Sequence, residues 1–186
     1  MVTRIFLNNQ EFTFTEKDLP ILIHGIDKAG SSLFTISLIA QFARNGSKIL
    51  FFSRYDMAKE EFREQMRDGD LGNVISVKTG EEEDLLTTLK QTPDIQERVI
   101  LLKNIDALRP DIFPAIKACH KLVISGDIDR CSFGDELRTI PFKTIIQFSP
   151  LRDSDKKHPE TLQKYEGYMW GDKEGIIKIE SIEEGS

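Results

Sequence analysis

The stretch Ile21-Leu22-Ile23-His24-Gly25-Ile26-Asp27-Lys28-Ala29-Gly30-Ser31-Ser32 decides the fold. Its opening apolar run reads as a buried strand and its glycines as a loop. Leu33, Phe34, Ile36, Leu38, Ile39, Ala40 and Phe42 then cover most of a helix over residues 31–44. Asn45-Gly46 supplies the helix stop. Strand, glycine loop and buried helix form the context that a phosphate-binding loop requires, and Gly25 and Gly30 have its G-x-x-x-x-G spacing. Such glycines let backbone N–H groups turn inward around an anion, and the helix N-terminus adds partial positive charge. Ser32 stands where a Mg²⁺-binding hydroxyl belongs, but Ser31 takes the place of the lysine that reaches the β/γ-phosphates. Lys28 is the candidate substitute. A turn kept for folding alone is the other reading of these residues.

Outward from this loop, apolar runs alternate with amphipathic stretches. Strands are expected at 48–53, 74–77, 99–102, 122–125 and 144–148, and helices at 57–67, 81–91 and 110–120. In the second helix Met57, Phe62 and Met66 turn inward; in the third an acidic first turn suits the macrodipole. This rhythm predicts a single α/β domain of three layers around a mostly parallel sheet. Its core spans residues 20–150. Residues 1–17 form a hairpin, with strands 4–7 and 11–15 about Asn8-Asn9-Gln10. Residues 151–186 comprise a polar loop and a C-terminal hairpin about Asp172-Lys173-Glu174-Gly175, ending in a frayed tail.

The 186 residues are 39% hydrophobic and 30% charged, which gives a real core and excludes wholesale disorder. The longest apolar runs are far too short to span a bilayer, and residues 1–8 lack the apolar region of a signal peptide. A cytoplasmic protein without membrane insertion is expected. Two cysteines, Cys119 and Cys131, fit a reducing compartment. Lys+Arg 25 against Asp+Glu 31 gives a net charge of −6, the wrong sign for coating nucleic acid by bulk charge, although a local basic patch stays open.

With these motifs in place, residues 20–150 resemble the RecA/KaiC-like ATPases of the P-loop NTPase superfamily. The strand Lys48-Ile49-Leu50-Phe51-Phe52-Ser53 and the residues after it look like that family's second strand, whose acidic residue activates water; Asp56 is the match, with helix capping as its alternative. Val99-Ile100-Leu101-Leu102 resembles a Walker B strand, where the family places Asp next. Here that residue is Lys103, followed by Asn104. Asp106 lies beyond the strand end, as a distant metal support or as a cap. Lys121-Leu122-Val123-Ile124-Ser125-Gly126-Asp127 looks like the strand whose polar tip senses the γ-phosphate, with Ser125 and Asp127 as positional candidates.

The resemblance implies a RecA-like fold with degenerate Walker A and Walker B motifs: a pseudo-ATPase serving as a binding or assembly subunit. Gly25, Lys28, Gly30, Ser31 and Ser32 would hold the nucleotide, with Ser32 and Asp106 toward a metal. The implied cofactor is ATP or ADP with Mg²⁺, or none at all. The implied partner is another copy of the chain or an intact RecA-like ATPase. Two alternatives stand beside it: an active NTPase using Lys28 and Asp56, and a phosphate-independent interaction module.

Other chemistries find little support. His24, His120 and His158 lack zinc-ligand spacing, and Cys119-His120 point apart on a helix. There is no Gly-x-Ser-x-Gly elbow, and the glycine spacing is wrong for a Rossmann loop. His24 is the histidine nearest the loop. Glu81-Glu82-Glu83-Asp84 reads as a solvated first turn. Tyr165, Tyr168, Met169 and Trp170 form either a local core under the hairpin or an anchor for a neighbouring subunit.

Overall fold

Strands as uniformly apolar as Ile49-Leu50-Phe51-Phe52 and Val99-Ile100-Leu101-Leu102 need cover on both faces, and a parallel sheet supplies it. A computed structural model describes residues 2–25, 30–55, 75–148, 162–163 and 165–182. In chain order its elements are β1 (Val2–Leu7), β2 (Gln10–Glu11), β3 (Ile21–His24), α1 (Ser31–Arg44), β4 (Ile49–Ser53), β5 (Ile75–Thr79), α2 (Glu82–Gln91), β6 (Val99–Lys103), α3 (Phe113–Lys117), β7 (Leu122–Gly126), α4 (Gly134–Leu137), β8 (Thr144–Gln147), β9 (Glu166–Gly171) and β10 (Gly175–Ile182). The strands form one mixed sheet of ten, in the order β2-β1-β10-β9-β8-β3-β7-β6-β4-β5. From β8 to β5 neighbouring strands are parallel, and from β8 outward to β2 they are antiparallel. The loop strand β3 therefore lies inside the sheet, between β8 and β7.

Alternate residues of the parallel strands enter two separate cores. Ile21, Ile23, Phe51, Leu101, Val123 and Ile146 join Phe34, Leu38 and Phe42 of α1. Leu22, Phe52, Ile100, Leu102 and Ile124 join Leu85 of α2, Ile116 of α3 and Leu137 of α4. The sheet is thus buried on both faces, as its composition requires. Helix α1 has the boundaries the sequence gives it, and its end is a Schellman motif: Ser47 N donates to Phe42 O and Gly46 N to Ala43 O, with Gly46 at φ +87°.

Three expectations change. The first hairpin turns at Asn8 and Asn9, both at positive φ, but its second strand is only Gln10–Glu11. Phe12 and Phe14 leave the sheet because their rings pack edge-on with each other and Phe14 packs on Phe34 of α1. Phe12 N still donates to Ile5 O of β1 (2.8 Å), but α1 serves the rest of their backbone: Gln41 bonds Phe14 N and Phe12 O, and Asn45 bonds Phe14 O. The helix expected over 110–120 is a 3₁₀ turn, Pro110–Ile112, followed by the short α3, since Pro114 has no N–H to join the two. Finally, the terminal hairpins are continuous with the core sheet, β1 pairing with β10 and β9 with β8. The helix expected over 57–67 and the loop at 152–158 lie outside the described residues.

The chain before β3 is tied to the start of β7 by Lys121 Nζ, 2.6 Å from Glu16 Oε2. That hydrogen bond, assisted by one from Ser47, holds the Glu16 carboxyl below its ordinary value of 4.5 against the opposing effect of burial. A carboxyl depressed in the folded state stabilises above its unfolded pKa, and the contribution is lost as pH falls through the folded one. Replacing Lys121 by Met should therefore flatten the fall in Tm between about pH 5 and 3, read by thermal denaturation. Parallel Tm–pH curves for the two proteins would contradict the ion pair.

Candidate functional site

The loop after β3 is framed by close backbone approaches. Phe148 N donates to His24 O (2.8 Å), and Gly25 N donates to Gly126 O (3.1 Å). A Cβ on Gly25 would lie 2.7 Å from Ser31 Cβ, so the start of the loop and the start of α1 touch only because this residue is glycine. Gly30 caps α1 at φ +99°, and a Cβ there would lie 2.9 Å from the Tyr165 ring. The C-terminal hairpin thus begins against the last loop glycine. Ser31 is buried in the first turn of α1 and Ser32 is half-buried.

Register then builds a polar row across the sheet tips. Ser53 of β4 pairs with Lys103 of β6, and Lys103 pairs with Ser125 of β7. The strand alternation that sends Phe51, Leu101 and Val123 toward α1 sends these three to the same face. Thr35 Oγ1 donates to Ser31 O (2.7 Å) and accepts from Ser125 Oγ (3.0 Å), which fastens the first turn of α1 to the row. Ser53 Oγ donates to Asn104 Oδ1 (3.1 Å), with Asn104 at φ +60°. Lys103 is 9% exposed, so a lysine stands one strand, about 4.8 Å, from the serine that touches α1. Nothing in residue periodicity alone places it there; parallel pairing does.

Asp106 lies past the end of β6, in the 3₁₀ turn Ile105–Ala107. Its Oδ1 accepts from Asp127 N (3.0 Å), and a Cβ on Gly126 would lie 2.4 Å from that oxygen. The carboxylate braces the turn after β7. His24 is buried, and its Nδ1 accepts from Ile128 N (3.0 Å). An accepting Nδ1 leaves the proton on Nε2. His24 clusters with Asp127 and Asp129, a grouping that the sequence spacing hides. Neither ring nitrogen then has a lone pair for a metal, and the acids bond Arg130 and Arg138. The trio Glu81, Glu82 and Glu83 is likewise taken up by Arg54 and Arg109. Burial pushes both thiols, Cys119 and Cys131, up to about 11, far from nucleophilic use at neutral pH. Lys28 and Asp56 lie outside the described residues, whereas Gly25, Gly30, Ser31, Ser32 and Asp106 are placed as above.

The residues that are described do not fit a magnesium ion. Catalytic use of Mg²⁺ at this strand tip needs a carboxylate, and the position holds the ammonium of Lys103, whose charge opposes a divalent cation.

No protein-family model and no curated protein matches the sequence. Solved structures do match in shape. EssC from Geobacillus thermodenitrificans, comprising ATPases 2 and 3, superposes with a TM-score of 0.65 at 11% identity, over 98% of this chain and 41% of that one. EccC from Thermomonospora curvata, again ATPases 2 and 3 and in complex with a signal sequence peptide, gives 0.60 at 13% identity over 98% and 41%. The cytoplasmic domain of that organism's type VII secretion ATPase EccC gives 0.56 at 10% identity, over 100% of this chain and 26% of that one. The chain spans less than half the length of each. The chain shares the α/β fold of these ATPase domains. No described helix is long and apolar enough to cross a membrane.

If Asp106 is a brace, Asp106→Ala should cost about 1–3 kcal/mol by leaving a partly buried N–H unpaired. The fall in Tm should be the same in EDTA and in millimolar Mg²⁺. Stabilisation of the wild-type protein by Mg²⁺ alone, lost in the variant, would make Asp106 a metal ligand instead.

Proposed function

We propose that this chain is a RecA-like domain with degenerate Walker motifs, built in three layers, that binds a nucleotide or anion weakly and works as an assembly or binding subunit rather than as an efficient ATPase. The observation that carries this is Lys103, buried at the strand tip where the resembling ATPases place the magnesium-binding Asp. Ser31, buried at the head of α1, removes the phosphate lysine from the other side of the same site. Phosphoryl transfer in this class rests on positioned cations and metal around the phosphates, and each such group is worth a few kcal/mol, so losing two together lowers turnover by orders of magnitude.

What remains suits holding rather than hydrolysis. Gly25, Gly30 and the first turn of α1 supply the loop, with Ser32 and Lys28 as further candidates; Asp56 is the candidate base of the alternative reading, an active NTPase. The partner in this reading is a second copy or an intact ATPase. The complex of the EccC ATPase pair with a signal sequence peptide lends support to a binding role for domains of this shape.

Purified protein should release phosphate from ATP no faster than a heat-inactivated control, with Mg²⁺ present and at any protein concentration. Mg²⁺-dependent turnover above about 1 s⁻¹, within the ordinary range for enzymes, would overturn the proposal.

A further inference from the structure

A buried side chain that bonds in only one of its protonation states couples structure to pH. His24 is such a group. It ends β3 with 1% exposure, and its Nδ1 accepts from Ile128 N at 3.0 Å. Only the neutral imidazole can accept there, since both ring nitrogens of the imidazolium are donors. The bond joins the strand that enters the glycine loop to the turn that follows β7. That turn has little freedom of its own. Asp127 N donates to Asp106 Oδ1 (3.0 Å), and Arg130 N and Cys131 N both donate to Asp127 O (3.1 Å each). The Ile128 side chain is sealed into the core with Phe133 and Leu137, and a Cβ on Gly134 would meet Ile128 O at 2.5 Å. A ring that ceases to accept therefore loses its bond, because the turn cannot follow it.

Among the described residues, the charged groups around the ring are Asp127 and Asp129, each with a carboxylate oxygen within 4.8 Å of a ring nitrogen. Asp127 is paired with Arg130 (3.3 Å), and Asp129 with Arg138 at the end of α4 (3.1 Å), which also reaches Asp135 (3.6 Å). The register partners of His24 carry no charge: Gly126 on β7, and on β8 Gln147, whose buried carboxamide has no hydrogen-bond partner. An imidazolium here gains a carboxylate only in competition with two arginines.

We propose that His24 is a pH-sensitive latch: neutral, it fastens the end of β3 to the turn after β7; protonated, it releases Ile128 and opens that contact. Histidine is the side chain whose ordinary titration lies between about pH 5 and 8. Both thiols, pushed up to about 11, stand outside that window. A proton that binds only the open form leaves the latch closed above the titration and removes it as pH falls. The bonds from Gly25 N to Gly126 O and from Phe148 N to His24 O do not titrate, so β3 stays in the sheet while the turn detaches. The latch is independent of any ligand at the glycine loop.

The test is amide hydrogen exchange at Ile128, followed by NMR on the full chain between about pH 7.5 and 5.5, with the ¹⁵N shifts of the His24 ring recorded in parallel. An open ring titrates near the ordinary value of about 6.5, so the Ile128 protection factor should fall about tenfold across that range. At the upper end the ring should carry its proton on Nε2 alone. In His24→Asn, whose Oδ1 accepts at every pH, the protection factor should stay within about twofold. A flat protection factor in the wild-type protein overturns the latch and needs no variant to fold. A proton on Nδ1 at the upper end also overturns it. An equal fall in His24→Asn overturns it too, because the opening then belongs to other groups.

Discussion

Parallel register at the sheet tips is the constraint on which the rest depends. Because Ser53, Lys103 and Ser125 are Cα partners on consecutive strands, no one of them can change face without displacing a hydrophobic residue of the core beneath it. The bond from Ser125 to Thr35 then fixes how the first turn of α1 sits over that row. The placement of a buried lysine at the sheet tip, between Ser53 and Ser125, is thus a consequence of strand pairing and core packing.

The same sheet explains how the ends of the chain reach this site. Antiparallel addition of β9, β10 and β1 beyond β8 brings Tyr165 against Gly30 and Tyr168 beside Gln147. One face of the site is therefore built by residues more than a hundred positions away from the loop in sequence. The start of the C-terminal hairpin therefore lies against Gly30, at the head of α1.

Local signals were easy to read and long-range ones were not. The boundaries of α1, the glycine loop, the apolar strands and the Asn-rich turn are each dictated by residues within a few positions of one another. The pairing of β1 with β10 joins opposite ends of the chain, and no local pattern encodes it. Phe12 and Phe14 alternate as a strand should, yet Gln41 and Asn45 on α1 offered their backbone a competing set of partners. The segment holding α4 gave little periodicity, but a Cβ on Gly134 would lie 2.5 Å from Ile128 O, a constraint visible only in three dimensions. In the site, the lysine that follows the apolar run Val99-Ile100-Leu101-Leu102 was visible in the sequence, but its neighbours Ser53 and Ser125 were not. The bracing role of Asp106, the tautomer of His24 and the unpaired carboxamide of Gln147 all depend on neighbours supplied by other elements.

In the proposed reading, charge complementarity from Lys103 stands in place of a bound metal. The most direct measurement is calorimetric ADP binding at fixed ionic strength, with EDTA and then with millimolar Mg²⁺. The two affinities should lie within about threefold of each other, less than the tenfold that corresponds to about 1.4 kcal/mol. A tightening of tenfold or more on adding Mg²⁺ would mean that the site binds the metal after all, and would contradict it.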